Sequence, residues 1–240
     1  DLEAISKTVH SISPEALIIV DGVQYAAHGG ISIDQYNIDG YAISPYKMYS
    51  RHGYGLAWVS DRLTKMNHEQ LFDGPPENWE LGTRDTGSYA TISNVVQYLE
   101  WLGEKIENTE SRSVKLYNAA KAIAAQETAL TDLMINGEDN IKGLKDLSGV
   151  EIIGGLENPN RSGLVSFRIK GTSSHLLVDF LNDKGIRTHV RKADHYSGNI
   201  LDPLGWEDCV RVSVCHYNSS QEIKSLLLAL NEFQLDAITN

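Results

Sequence analysis

Residues 16–22 read ALIIVDG, five apolar side chains in a row followed by an aspartate and a glycine. A surface helix would break such a run with polar residues, and a strand with one wet face would alternate. An unbroken short run ending in Asp-Gly predicts a strand buried on both faces, the kind found inside a mostly parallel sheet covered by helices. Working outward, LEAISKTVH (2–10) has helical spacing, and IDGYAIS (38–44) and YGLAWVS (54–60) read as two further strands. Residues 62–71 read as helix, and DGPPENWELGTRDTGSYA (73–90) as a loop rich in turn formers. Helices are expected over about 91–104 and 111–134, the second alanine-rich and amphipathic. Three strands are too few to bury ALIIV on both faces. The expectation is therefore a sheet whose earlier part lies before Asp1 or on a partner chain.

Beyond Gly137 the texture changes. VEIIGG (150–155), GLVSFRIKG (163–171), IRTHVRK (186–192) and CVRVSVCHYN (209–218) predict strands. SSHLLVDFLNDKG (173–185) predicts a helix stopped at Gly185, and SQEIKSLLLALNEF (220–233) a closing helix with a serine cap and a glutamate close behind it. The fold class is α/β, with an α/β portion over residues 1–105 and a smaller α+β domain over 106–240 that includes the long linking helix. No internal repeat or low-complexity tract interrupts it.

Lys+Arg of 21 against Asp+Glu of 32 gives a net charge of −11, which argues against a nucleic-acid or anionic-membrane surface. No apolar run approaches the roughly 18 residues of a membrane span. Cys209 and Cys215 are the only cysteines, a usage that fits reduced thiols in a cytoplasmic protein.

In an open α/β sheet, ligands bind outside the carboxyl ends of the strands. Asp21 stands at that end of ALIIV, and Ser44 to Lys47 follow that end of IDGYAIS, so both groups are expected to face one crevice. From spacing alone, the commoner meaning of a carboxylate near a lysine is a salt bridge. The wider string, VDGVQYAAHGG, SPYK and then GYG, points further.

These segments resemble the class-V aminotransferases and cysteine desulfurases, pyridoxal-phosphate (PLP) enzymes of fold type I. Members carry a strand ending D-x-x-Q followed by a histidine, then a Ser-x-His-Lys motif whose lysine holds PLP as a Schiff base. Here those positions are Asp21, Gln24, His28, Ser44 and Lys47. ELGTRDTGSYA (80–90) is similar to the family's Gly-Thr loop, and VRVSVCHYNSSQEI (210–223) to its C-terminal Arg-x-Ser, Tyr-Asn, Glu-Ile signature. The resemblance runs over essentially the whole chain and matches the family from the middle of its large domain onward.

What the resemblance implies is specific. Lys47 forms the imine with PLP and, once substrate displaces it, removes the Cα proton. Asp21 keeps the pyridine nitrogen protonated, and Gln24 bonds the ring's phenolic oxygen. Ser44 contacts the phosphate. Tyr46 replaces the usual histidine before the lysine, as in kynureninase-like members, and also reaches the phosphate. His28 either touches the cofactor or satisfies a strand-end carbonyl. Thr83 resembles the threonine that reaches the PLP phosphate of a neighbouring subunit, which implies a homodimer. Arg211 matches the arginine that grips the α-carboxylate of an amino-acid substrate.

One departure limits the reaction type. Cysteine desulfurases keep a nucleophilic cysteine in a loop after the strand that here is 186–192, and residues 190–204 contain none. Period-2 alternation places Cys209 and Cys215 on the face of Arg211, where the commoner role of a strand cysteine is that of a small buried hydrophobe. His195 and Tyr196 could act from the loop or simply form a polar lid. His52, His68 and His189 lack metal-ligand spacing, so no metal site is expected. The expected activity is chemistry at Cα or Cβ of an amino acid, of lyase or aminotransferase type. The rival reading is a non-catalytic class-V-like subunit that needs an N-terminal partner chain.

Overall fold

The structure is a computed structural model that describes residues 1–82 and 84–239, with side chains to residue 235. The chain divides into two compact units, Asp1–Lys121 and Ala122–Asn240.

In the first unit, α1 (Leu2–Ile12) starts from an Asp1 cap, whose carboxylate accepts the Ala4 amide at 3.0 Å. The apolar run then ends in β1 (Ile19–Asp21), which pairs in parallel with β2 (Gly40–Ile43) in the register Ile19–Gly40, Val20–Tyr41, Asp21–Ala42. β3 (Leu56–Val59) pairs antiparallel with β2, giving the order β1-β2-β3. Burial of β1 on both faces is not realised: Ile19 is 65% exposed, and Asp21 is exposed. β1 is the edge of this sheet, so a strand with an interior composition has edge surroundings in this chain.

The helix expected over 62–71 shrinks to α2 (Asp61–Thr64), capped by the Ser60 hydroxyl on the Leu63 amide. His68 Nδ1 binds the Met66 carbonyl at 3.0 Å, and its ring stacks on Trp79. That side-chain bond takes a carbonyl a continuing helix would use. Helix α3 (Thr86–Ile106) begins earlier than expected because the Asp85 carboxylate accepts the Ser88 amide at 3.2 Å. It runs close to α4 (Arg112–Asn136) at Gly103, where any Cβ would overlap the Lys115 carbonyl.

The second unit takes the C-terminal part of α4. A small hairpin, β4 (Gly137–Glu138) with β5 (Ile141–Lys142), is an element the alternation was too short to announce. The main sheet comprises β6 (Val150–Ile152), β7 (Leu164–Ile169), β8 (His189–Lys192) and β9 (Asp208–Ser213) in the antiparallel order β6-β7-β9-β8. Helix α5 (Ser174–Asp183) links β7 to β8, and α6 (Gly198–Leu201) precedes β9. Helix α7 (Ser220–Thr239) closes the unit behind a capping box, in which Ser219 and Glu222 exchange bonds with each other's amides at 2.7 and 3.3 Å.

One face of the sheet presents Val165, Phe167, Val210 and Val212 to Leu177, Leu181, Leu227 and Leu230. Each such fully buried side chain contributes about 1.5–3 kcal/mol. The Glu127 carboxylate is buried beside this core and accepts the Gly163 amide at 3.1 Å. The other face carries Cys209 and Arg211. Among the described residues, no helix is long and apolar enough to cross a membrane.

Candidate active site

β1 ends at Asp21, and the next amide, of Gly22, still donates to the Ala42 carbonyl at 2.9 Å. A Cβ at position 22 would strike the buried Tyr41 ring, so glycine alone lets the chain pass there. The backbone then folds into a 3-10 turn, Tyr25–Ala27, with the Val23 amide donating to Asp21 Oδ1 at 3.1 Å. After Ser44, β2 leads into a second 3-10 turn, Pro45–Met48, whose proline pre-sets the first φ angle. Tyr49 ends that turn in the left-handed region, at φ 68°. Its hydroxyl donates to the Ala27 carbonyl at 3.1 Å, which ties the second turn to the first.

Between the tied turns, Lys47 Nζ donates to Gln24 Oε1 at 3.2 Å across 23 positions of sequence. An ammonium only donates, so Gln24 turns its oxygen to Lys47 and its Nε2 to His28 Nε2, 3.3 Å away. Nζ also stands 5.9 Å from the centroid of Tyr46, whose ring stacks on His52 at 4.1 Å and 17°. Lys47, Gln24, His28 and Tyr46 thus form one string. Parallel pairing of β1 and β2 sets Asp21 and Ser44 at the same end of the sheet as this string. Asp21 and Lys47 form no ion pair among the described residues, which removes the salt-bridge reading. Thr83 lies outside the described residues. Its neighbour Arg84 pairs with Glu80.

In the second unit, Arg211 lies mid-strand on β9, opposite Ser166 of β7 and His189 of β8. Among the described residues, its Nε is buried with no hydrogen-bond partner. Burial, and then the charge of Arg191, pull this guanidinium below its ordinary range. A buried cationic donor left unpaired is unfavourable, and an oxyanion relieves it.

Cys209 shares that face but is 2% exposed, packed with Leu201 and Trp206. Burial, and then Asp208, push its thiol up against the opposing pull of Arg191 and Arg211. Cys215 lies past the end of β9, so the alternation that assigned it to the face of Arg211 does not reach it. The loop at 193–204 is more structured than its polar sequence suggested. Asp194 Oδ1 accepts the amides of Tyr196 and Ser197, both at 2.9 Å, and α6 follows. A cavity of about 510 Å³ in this unit is lined by Ile153, Ile200, Leu204 and Trp206 among others, and contains none of the expected site residues. Among the described residues, no group of three His, Cys, Asp or Glu side chains is placed to hold a metal.

Sequence reading missed three contributors. Tyr49 and His52 gave no local signal, because their roles depend on how two turns meet. Arg191 could have been found by alternation, since it shares the face of Arg211 two residues along from His189.

The family model described as "Aminotransferase class-V" matches residues 1–226. A probable cysteine desulfurase of Xylella fastidiosa is 29% identical over 227 residues, covering 88% of this chain and 48% of that protein. An aminotransferase-like protein, FGM3, of Gibberella zeae is 29% identical over 239 residues, covering 96% and 54%. In shape, the chain is similar to the cysteine desulfurase CsdA of Escherichia coli, with a TM-score of 0.72 at 23% identity over 98% of this chain and 55% of that one. The chain spans about half the length of the relatives it matches. It has the fold type I architecture and belongs to the class-V aminotransferase family, whose members depend on PLP.

Proposed function

We infer that this chain carries the lysine of a PLP-dependent enzyme that acts at Cα or Cβ of an amino acid. The observation that carries the reading is the Lys47–Gln24 bond of 3.2 Å. In PLP the aldehyde sits next to the ring's phenolic oxygen, so a lysine bound at the aldehyde lies beside whatever group binds that oxygen. Lys47 and Gln24 already stand in that relation.

The donor set fits the cofactor. Asp21 supplies a carboxylate for a protonated ring nitrogen, Gln24 an amide for the phenolic oxygen, and Ser44 and Tyr46 hydroxyls for the phosphate. His28 steadies Gln24 from behind. PLP supplies an electron sink for the pair left at Cα when a bond there breaks. Lys47, released by the incoming substrate amine, takes the proton from Cα. Arg211 grips the substrate α-carboxylate with its planar fork.

In this reading, residues 1–105 are the C-terminal portion of the PLP-binding domain and 106–240 the small domain. Thr83 serves the phosphate of a neighbouring subunit in a cytoplasmic homodimer. A non-catalytic subunit would have little physical reason to keep Asp21, Gln24, Lys47, Thr83 and Arg211 together. Lyase or aminotransferase chemistry is favoured over a persulfide route, because residues 190–204 hold no cysteine and Cys209 is buried with a raised thiol pKa.

The test is an amino-acid panel assayed with PLP-loaded protein, alone and together with a class-V N-terminal half, scoring keto acid, sulfide and racemised product. The reading expects one of these products, lost in Lys47→Ala. No product from any substrate in either preparation would contradict it.

A further inference from the structure

We propose that Tyr54, Ser50 and Thr91 form a one-way hydroxyl relay that anchors the lysine turn to helix α3, and that Ser50 is thereby a positioning residue for Lys47. The inference rests on the reading of Lys47 as the PLP-binding lysine and names what holds that lysine in place.

Ser50 belongs to the turn through its backbone. Its amide donates to the Pro45 carbonyl at 3.1 Å, and the Lys47 amide donates to the Ser44 carbonyl at 3.0 Å. Lys47 therefore lies inside a loop of chain that Ser50 closes. The Ser50 side chain leaves the turn: its Oγ lies 2.5 Å from Thr91 Oγ1 and 2.6 Å from the Tyr54 hydroxyl. Thr91 stands in the second turn of α3, 41 positions away in sequence.

Counting protons gives the relay its direction. Each hydroxyl has one proton to donate, and lone pairs with which to accept. Thr91 Oγ1 lies 2.6 Å from the Ser88 carbonyl, which can only accept, so the one Thr91 proton goes there. Thr91 Oγ1 must then accept from Ser50, and Ser50 Oγ from Tyr54. The order runs from Tyr54 to Ser50 to Thr91 to the Ser88 carbonyl. The 3.3 Å approach of Tyr54 to Thr91 has no proton left to fill it. Hydrogen bonds in such a chain polarise one another, and in part-buried surroundings each is stronger than in water.

The far end of the relay is fixed. Ser88 is 1% exposed, and its hydroxyl donates to the capping carboxylate of Asp85 at 2.7 Å. The Tyr54 ring packs on that of Tyr89, with centroids 4.9 Å apart. Arg51 and Asp85 add an ion pair at 3.6 Å, but both side chains are more than half exposed, so it contributes little. The relay is thus the stronger attachment of the lysine turn to α3. Tyr49 ties the same turn to Ala27 on the side of Gln24. Lys47 sits between the two ties, and its 3.2 Å bond to Gln24 depends on both.

Site-resolved labelling of PLP-free protein tests this. A pulse of acetic anhydride, read by mass spectrometry, compares the rate at Lys47 with that at Lys65, an exposed lysine of the same unit. Ser50→Ala leaves Tyr54 without an acceptor and Thr91 without a donor. It should raise the relative rate at Lys47 about threefold or more, the order of one net hydrogen bond. Thr91→Val cuts the relay from the helix side and should give the same rise, so the test survives if one variant fails to fold. Tyr54→Phe removes only the first donor and should change the rate by less. Ser50→Thr keeps the hydroxyl and should restore the wild-type rate. In a Gln24→Leu background, Ser50→Ala should have no further effect, because the contact it loosens is already gone. A merely structural serine would add its effect there unchanged. Thermal unfolding reports which variants fold. An unaltered rate at Lys47 in folded Ser50→Ala or Thr91→Val protein would overturn the proposal. So would a rise shared by Lys65, or one that persists in the Gln24→Leu background. These outcomes do not depend on whether PLP binds. Borohydride capture of PLP on wild-type Lys47 tests the assignment of the lysine separately, and its failure would sink that assignment while leaving the labelling result intact.

Discussion

Asp39 and Arg62 hold each other through two hydrogen bonds, Nε to Oδ1 at 2.9 Å and Nη2 to Oδ2 at 2.8 Å. The same carboxylate accepts the Ile18 amide at 2.9 Å and the Ser60 hydroxyl at 3.0 Å, while Arg62 also reaches the Ala16 carbonyl. These bonds fasten the entry to β1, the entry to β2 and the exit from β3 at one end of the sheet. Asp21 and Lys47 lie at the other end.

Burial alone would raise the Asp39 carboxyl, but the bonds from Arg62, Ile18 and Ser60 outweigh it and hold the carboxyl below its usual range. A carboxylate with a depressed folded-state pKa stabilises above the unfolded value of about 3.9, and that contribution fades as pH falls through the folded value. Asp39→Asn should therefore lower stability at neutral pH by roughly 2 kcal/mol, less than the loss of a fully buried pair because Arg62 is partly exposed. Denaturant unfolding of both proteins at several pH values checks this. The gap between them should narrow below about pH 4, and a constant gap would show that the charge of Asp39 is not what matters.

Gln24 is exposed and touches little besides Lys47 and His28, so Gln24→Leu should leave the melting temperature unchanged. It should raise the Kd for PLP by about tenfold or more, the effect of one lost hydrogen bond to a charged or strongly polar group. Equilibrium titration with PLP, read by absorbance, measures it directly. Unchanged affinity would remove Gln24 from the cofactor's surroundings.

Much of this arrangement was legible in the residues, for physical reasons that differ from place to place. ALIIVDG announced a strand because a continuous apolar run has few other uses, and the parallel pairing with IDGYAIS followed. Its burial on both faces was not legible, because burial depends on neighbours that the strand itself does not encode, and here β1 is an edge. Residues 62–71 looked helical by period, yet the His68 ring takes the Met66 carbonyl that a continuing helix would use. Asp21, Gln24 and Lys47 could be named from their motif. Tyr49 could not, since its bond to Ala27 spans two turns whose approach is a tertiary property. Alternation along β9 placed Cys209 correctly and failed for Cys215, because the strand ends at Ser213.

Cys209 offers a negative prediction. A buried thiol with a raised pKa is a poor nucleophile, so the folded protein should show no alkylation at Cys209 by iodoacetamide at neutral pH. Cys209→Ala should lower stability by about 1 kcal/mol, the order of a small core truncation, and leave any sulfur-releasing activity on cysteine unchanged. Peptide mapping of the alkylated protein and sulfide assays of the variant check both halves. Rapid labelling of Cys209, or loss of sulfide production in the variant, would restore a persulfide route.

The central claim is that Lys47 is the residue that bonds PLP. Borohydride reduction of PLP-incubated protein, followed by peptide mass spectrometry, locates the attachment. The account predicts a reduced pyridoxyl-phosphate adduct on the peptide containing Lys47, absent from that peptide in Lys47→Ala, with the visible absorbance of bound PLP lost in the same variant. Labelling spread over several surface lysines, or an unlabelled Lys47 in protein that otherwise holds PLP, would contradict it.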